Sequence, residues 1–167
     1  MKRFVLPILA NLTLGLWLGG LVMLFLSVSG LFATYPDRHT AGLGATTVFH
    51  RFEILQGVLA ILSLVLTWLA LPPRRMRTVA ETLLAVAAIL AGVITFGFSR
   101  KIDQMRLAGT TDTPQFYAIH GAAMGTYLVV TIVVAAAWVT VLAALRAETS
   151  ATASPDRVSP GVPVDSA

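Results

Sequence analysis

The sequence predicts an all-α membrane protein, a four-transmembrane-helix antiparallel bundle with a disordered C-terminal tail. Three observations predict it. Hydrophobic residues make up 56% of the 167 positions and charged residues only 12%, whereas a soluble domain carries about 25% charge to cover its surface. The mean hydropathy is +0.80. The apolar residues fall into four runs, each long enough to cross a hydrocarbon core of roughly 30 Å at 1.5 Å per residue, and none shows the strict alternation of a barrel strand.

The first run covers residues 7–32 and is interrupted only by Asn11, Thr13 and small residues. Lys2 and Arg3 in front of it, with Ser27-Val28-Ser29 near its end, resemble a secretory signal. A signal peptide's apolar region is about 7–15 residues long, so the longer run is read as a retained helix. The second run, 49–71, stops at Pro72-Pro73, which cannot continue a helix. The third covers 79–98 and the fourth 117–145. Residues 1–146 therefore form one transmembrane domain. From 147 to 167 the chain is polar and rich in Ser and Pro, too poor in apolar side chains to fold, and reads as a disordered cytoplasmic tail.

The turn between the second and third runs is so short that these helices must be antiparallel neighbours. It also carries Arg74, Arg75 and Arg77. With both termini inside, seven Lys and Arg lie on the inner side and five on the outer, the bias expected of a cell inner (plasma) membrane protein. The same clustering beside apolar runs accounts for the net charge of +4 without invoking nucleic acid. The longer segments 33–48 and 99–116 then face outward, where loop-borne function is expected.

Because lipid is as apolar as leucine, membrane helices meet through close packing at small residues rather than by escaping water. Gly15 and Gly19 on the first helix and Gly121 and Gly125 on the fourth have GxxxG spacing. They predict close helix packing within one bundle, with a homo-oligomer seam as the alternative. Asn11 is expected to hydrogen-bond across to another helix or a carbonyl.

The absence of cysteine excludes disulfides, thiolate catalysis and Cys-based zinc sites. No CxxCH, HExxH, phosphate-binding or dinucleotide motif occurs, and no nucleophile stands beside a base, so no enzyme activity is expected. What remains is a set of ionisable residues inside spans, each of which is costly there and calls for a reason. His50, Glu53 and Gly57 share one face of the second helix with Gln56 at its edge, and His120 opens the fourth with Met124 one turn on. Both helices run inward, so His50 and His120 are expected at one depth near the outer surface, with Arg100 at that level and His39 and Met105 in reach.

Three readings of this cluster stand side by side. In one, the histidines are interfacial polar residues in a scaffolding protein without a ligand. In the second, His50, His120 and Met124 ligate copper, with Glu53 and Arg100 as supporting groups. In the third, the two histidines hold a haem between facing helices. A small oligomeric transporter is a further alternative, although the span centres carry no Asp, Glu, Lys or Arg.

Leu16-Trp17-Leu18-Gly19-Gly20, then Arg38-His39-Thr40-Ala41-Gly42 and Phe49, and finally Phe116-Tyr117-Ala118-Ile119-His120-Gly121 resemble the transmembrane protein 205-like family, domain of unknown function 4149, over about residues 8–145. The resemblance implies a four-helix membrane domain without an assigned activity. That family is similar in plan to copper-resistance D-type membrane domains and to a haem-pathway membrane oxidase group, which places metal or haem ahead of transport. Vertebrate members carry an Asn seven residues after the histidine, where this chain has Tyr127.

Overall fold

The computed structural model describes residues 2–152. The described residues form five α-helices: α1 (Lys2–Thr34), α2 (Arg38–Ala70), α3 (Arg75–Val93), α4 (Arg100–Leu107) and α5 (Pro114–Thr152). A π-helical turn, Ile94–Ser99, joins α3 to α4 without a break. The result is four spans long and apolar enough to cross a membrane. α1 packs on α2, α2 on α3, α3 on α5 and α5 back on α1, so the four crossings form a closed ring.

Helices reach beyond the apolar runs because capping, not hydropathy, sets their ends. Asp37 starts α2 by accepting the backbone N–H of His39 at 3.1 Å and of Thr40 at 2.9 Å, which satisfies two of the free donors of the first turn. The segment 33–48, expected as a loop, is thereby reduced to a short turn. Likewise 99–116 is helical as far as Leu107. There Gly109, at φ +67°, closes α4: its N–H donates to Arg106 O and the N–H of Thr110 donates to Met105 O. This left-handed pairing is where glycine replaces a strained side chain. α5 begins with Pro114, whose missing N–H costs nothing in a first turn, and Thr113 Oγ1 accepts the N–H of Phe116. Of the predicted tail, 147–152 continue α5, and 153–167 lie outside the described residues.

Most of the buried side chains are apolar, with Thr13, Glu53, Gln56, Ser63 and Thr67 buried among them. Leu14, Trp17, Leu21, Leu84, Val130, Val134 and Val141 are fully buried, while leucines, isoleucines and valines cover the outside. That inversion suits lipid as the solvent. Two side-chain bonds cross between helices here. Trp138 Nε1 donates to Asn11 Oδ1 at 2.9 Å while Asn11 Nδ2 donates to Pro7 O, tying α5 to α1. Trp17 Nε1 donates to Gln56 Oε1 at 3.5 Å, tying α1 to α2.

Close backbone approach falls mainly on Gly20, where an added Cβ would stand 2.8 Å from Phe52 Cε2. Gly15 lies against Trp138 at 3.6 Å, but Gly19, Gly121 and Gly125 have nothing within 4 Å of a would-be Cβ. The last three are exposed and face outward, so their spacing makes no contact inside this bundle.

Candidate functional site

The polar residues concentrate at the end of the bundle where α2 begins. His50 lies on the fourth turn of α2 and faces α4, where its Nε2 is 2.9 Å from Asp103 Oδ2. Three residues along α4, on the same face, Arg106 donates from Nη1 to Gly42 O at 2.9 Å. From α5, His120 lies parallel to Phe116, the rings 5.8 Å apart and 8° from coplanar. Its Nδ1 is buried with no hydrogen-bond partner among the described residues. His50, Asp103, Arg106, His120, Met124 and Tyr127 all line one cleft of about 60 Å³. A water needs about 10–15 Å³ of such space, so the cleft has room for a few waters or an ion.

Below the cleft lies a second polar layer. Glu53, buried on α2, accepts the hydroxyl of Ser99 from the π turn and that of Tyr127 from α5, the latter at 3.2 Å. Tyr127 is clamped by Phe49 at 5.4 Å and by Phe25 edge-on at 6.4 Å. The hydroxyl of Tyr127 thus gives α5 a polar contact with α2.

The π turn decides which residues of the third span reach the site. A π turn holds one residue more than an α turn. It rotates every later side chain by about 100° relative to an unbroken helix. Arg100, expected beside the histidines, instead lies over the Phe96 ring at 5.2 Å and does not line the cleft. Asp103 and Arg106 line it instead. Glu53 likewise lies below the cleft, with Ser99 and Tyr127 rather than a histidine as its partners. His39 and Met105 do not line it either. His39 is exposed at the start of α2, and Met105 is buried.

Ser99, Asp103, Arg106 and Tyr127 are thus the residues that sequence reasoning did not select. A signal was available: nothing between Ser99 and Leu107 is Gly or Pro, so the helix had no reason to stop. Among the described residues, no three His, Asp or Glu side chains converge as a metal-binding group. The donors that line the cleft are the imidazoles of His50 and His120, the Met124 thioether and the Asp103 carboxylate, the last engaged with His50. The cleft is also far below the roughly 300–1,000 Å³ of pockets for larger ligands, so the residues present do not fit a haem.

The four-helix plan and the Gly-rich first span now stand beside a direct comparison. Residues 12–111 match the family described as a domain of unknown function (DUF4149). The chain belongs to that family. The match takes in most of the first span and all of the second and third, hence His50, Glu53, Ser99, Asp103 and Arg106, and ends before α5 with His120, Met124 and Tyr127. DUF4149 membership agrees with a multi-pass membrane protein and assigns no activity. No curated protein and no solved structure matches the chain.

Proposed function

We propose that this DUF4149 protein binds a single soft metal ion in the cleft between α2, α4 and α5, cuprous copper being the ion whose preferences match the donors. The observation that carries the reading is His120 Nδ1, a buried nitrogen without a partner in a cleft that His50 and Met124 also line. Buried polar atoms in folded proteins almost always have a partner. His50 supports the same reading. A metal-bound histidine usually gives its second ring N–H to a carboxylate. With Nε2–H directed at Asp103, the Nδ1 lone pair of His50 is the donor left for an ion. Imidazole and thioether together favour Cu(I) over hard cations. The positive charge of Arg106 is balanced by Asp103 within the same cleft, and its Nη1 is engaged by the Gly42 carbonyl.

We also place both termini in the cytoplasm and the protein in the inner (plasma) membrane, on the strength of the Lys and Arg count. The cleft then opens on the extracytoplasmic side. A reporter fused after residue 152 should be active inside; activity outside would invert the arrangement.

The binding test is copper stoichiometry in detergent-purified protein loaded with Cu(I) under reducing conditions. One ion per chain is expected, with at least a ten-fold weaker Kd in both His120→Ala and Met124→Leu. A metal-free wild type, or variants that bind as well as the wild type, would overturn the reading and leave the cleft with a purely structural role.

A further inference from the structure

Around the cleft end, the outside of the bundle carries three cations at one level. Arg51 lies between His50 and Glu53 on α2, and Arg100 and Lys101 lie between Ser99 and Asp103 on the third crossing. The bonds of His50 to Asp103 and of Glu53 to Ser99 hold these two stretches side by side. Arg51, Arg100 and Lys101 are all exposed, and none forms an ion pair among the described residues. The carboxylates of this slice are already engaged: Asp103 faces His50, and Glu53 is buried beneath the hydroxyls of Ser99 and Tyr127. The opposite end of the bundle differs. There Arg74 stands 3.7 Å from Glu148 and Arg77 2.8 Å from Glu81, so two of its three arginines have a carboxylate of this chain.

Arg51 and Arg100 each close an apolar outer stripe. Thr47, Arg51 and Ile54 follow one another at helical spacing, and the stripe continues through exposed Val58, Ile61 and Val65. From Arg100 the corresponding stripe runs back through exposed Phe96, Val93 and Ile89. The Arg100 guanidinium lies over the Phe96 ring at 5.2 Å. That stacking rests it on apolar surface and leaves its N–H fork free, the geometry that grips a phosphate at two oxygens. From Arg51 to the end of α2 at Ala70 the helix rises about 29 Å, and from Arg77 to Arg100 the third crossing rises about 34 Å. A hydrocarbon core is about 30 Å thick. Neither interval exposes another charged side chain. The two cationic levels thus bracket one hydrocarbon thickness, and cations at such a boundary meet headgroups.

We propose that Arg51, Arg100 and Lys101 form a docking belt for the headgroup phosphates of anionic phospholipids in the leaflet that surrounds the cleft end. Three uncompensated charges favour a headgroup of net negative charge over a zwitterionic one, whose own ammonium offsets its phosphate. The belt also sets the height of the bundle. The stretch of α2 from Arg38 to Arg51 stands about 20 Å clear of the hydrocarbon, and His50 opens at headgroup level. The belt is independent of any ion in the cleft, so loss of either leaves the other in place.

The test titrates the full chain in detergent with phosphatidylglycerol, or with phosphatidylcholine of the same acyl chains, and reads bound lipid by native mass spectrometry. At least ten-fold tighter binding of phosphatidylglycerol is expected. Arg51→Gln, Arg100→Gln and Lys101→Gln should each weaken its tightest site about five-fold, and the triple variant should lose that site. Arg74→Gln with Arg75→Gln should leave it intact. Equal affinity for the two lipids, or a triple variant that binds like the wild type, would overturn the proposal. So would displacement of the lipid by inorganic phosphate at constant ionic strength, which would assign the belt to a free anion. Because the chain contains no cysteine, single cysteines give a separate measure of the level. In nanodiscs of the two lipids mixed, Thr47→Cys should react with a polar maleimide and Ile54→Cys should not. A reactive Ile54→Cys would put the belt in water, an unreactive Thr47→Cys would put it in hydrocarbon, and either would overturn the proposal.

Discussion

Gly20→Ala is the substitution whose cost the structure sets most directly. The added Cβ would lie 2.8 Å from Phe52 Cε2, whereas carbon atoms in contact rest about 3.5–4.0 Å apart. The ring must therefore retreat by about 0.7 Å or more. Phe52 is buried in the core cluster, so the retreat pushes on its neighbours rather than into lipid. Overpacking of this kind costs about 1–3 kcal/mol, while replacing a mid-helix glycine with alanine returns up to about 1 kcal/mol of helix propensity. The net expectation is a loss of about 1–2 kcal/mol. Gly19→Ala is the internal control. One position away, its Cβ meets nothing within 4 Å, so only the propensity gain remains. Reversible unfolding in mixed micelles, titrated with sodium dodecyl sulfate, measures both. Gly20→Ala should unfold earlier than the wild type and Gly19→Ala no earlier. Adding Phe52→Leu to Gly20→Ala should recover part of the loss by removing the ring edge. A Gly20→Ala protein as stable as the wild type would refute the argument that α1 and α2 are held in register at this contact.

The same assay should show Tyr127→Phe destabilised by about 1–2 kcal/mol, since the ring stays in place and only the hydroxyl bond to buried Glu53 is lost; no change would mean that this bond is not formed. Asn11→Leu removes the acceptor of Trp138 Nε1 and is expected to cost about 1 kcal/mol, an effect that should disappear in a Trp138→Phe background. Gly109→Ala places a side chain at φ +67° and should cost about 1–2 kcal/mol, measured by the same unfolding midpoint. At the α2 N-terminus, hydrogen bonds from the Thr40 hydroxyl and amide and the His39 amide hold the Asp37 carboxyl below its ordinary value. The folded value lies below the unfolded one, so this stabilisation is complete above the ordinary carboxylate range and is lost as pH falls through the lowered value. The advantage of wild type over Asp37→Ala should accordingly shrink on acidification, and an advantage that grew would reverse the assignment.

The spans were legible because lipid demands long apolar runs and places few other conditions on them. The ends were less so. Hydropathy marks where a helix must be buried, but Asp37, Thr113 and Gly109 decide where it begins or stops, and these act through backbone donors and acceptors that a hydropathy profile does not register. The common cleft of His50 and His120 follows from counting crossings, since α2 and α5 run the same way, although α2 begins three turns before His50 and α5 only one turn or so before His120. Glu53 was visible as an ionisable residue in a span, yet its partners were not. Ser99 reaches it through a π turn, and no residue type announces that geometry. Tyr127 reads as an aromatic residue in an apolar span, and its hydroxyl contact with Glu53 depends on how α5 is rotated. The glycines carry the opposite lesson. Spacing identified Gly19, Gly121 and Gly125, but the face on which a small residue lies depends on how the helices are rotated, and Gly20, outside the motif, is the one that the neighbouring helix touches.

The wide turn at Ile94–Ser99 also gives the third crossing an unusual tolerance. In an uninterrupted membrane helix, gaining or losing one amino acid swings everything downstream to the wrong side and strands its polar groups in oil. Here a surplus position is already accommodated, so excising Gly97 would let the coil tighten to ordinary pitch and shorten the crossing by a single step. Asp103 and Arg106 would keep their places beside the histidines, because the residue removed is the one that the wide turn absorbs. A one-codon deletion at this turn would thus leave both the scaffold and the groups at the mouth of the bundle standing, whereas the same deletion elsewhere in the crossing would not.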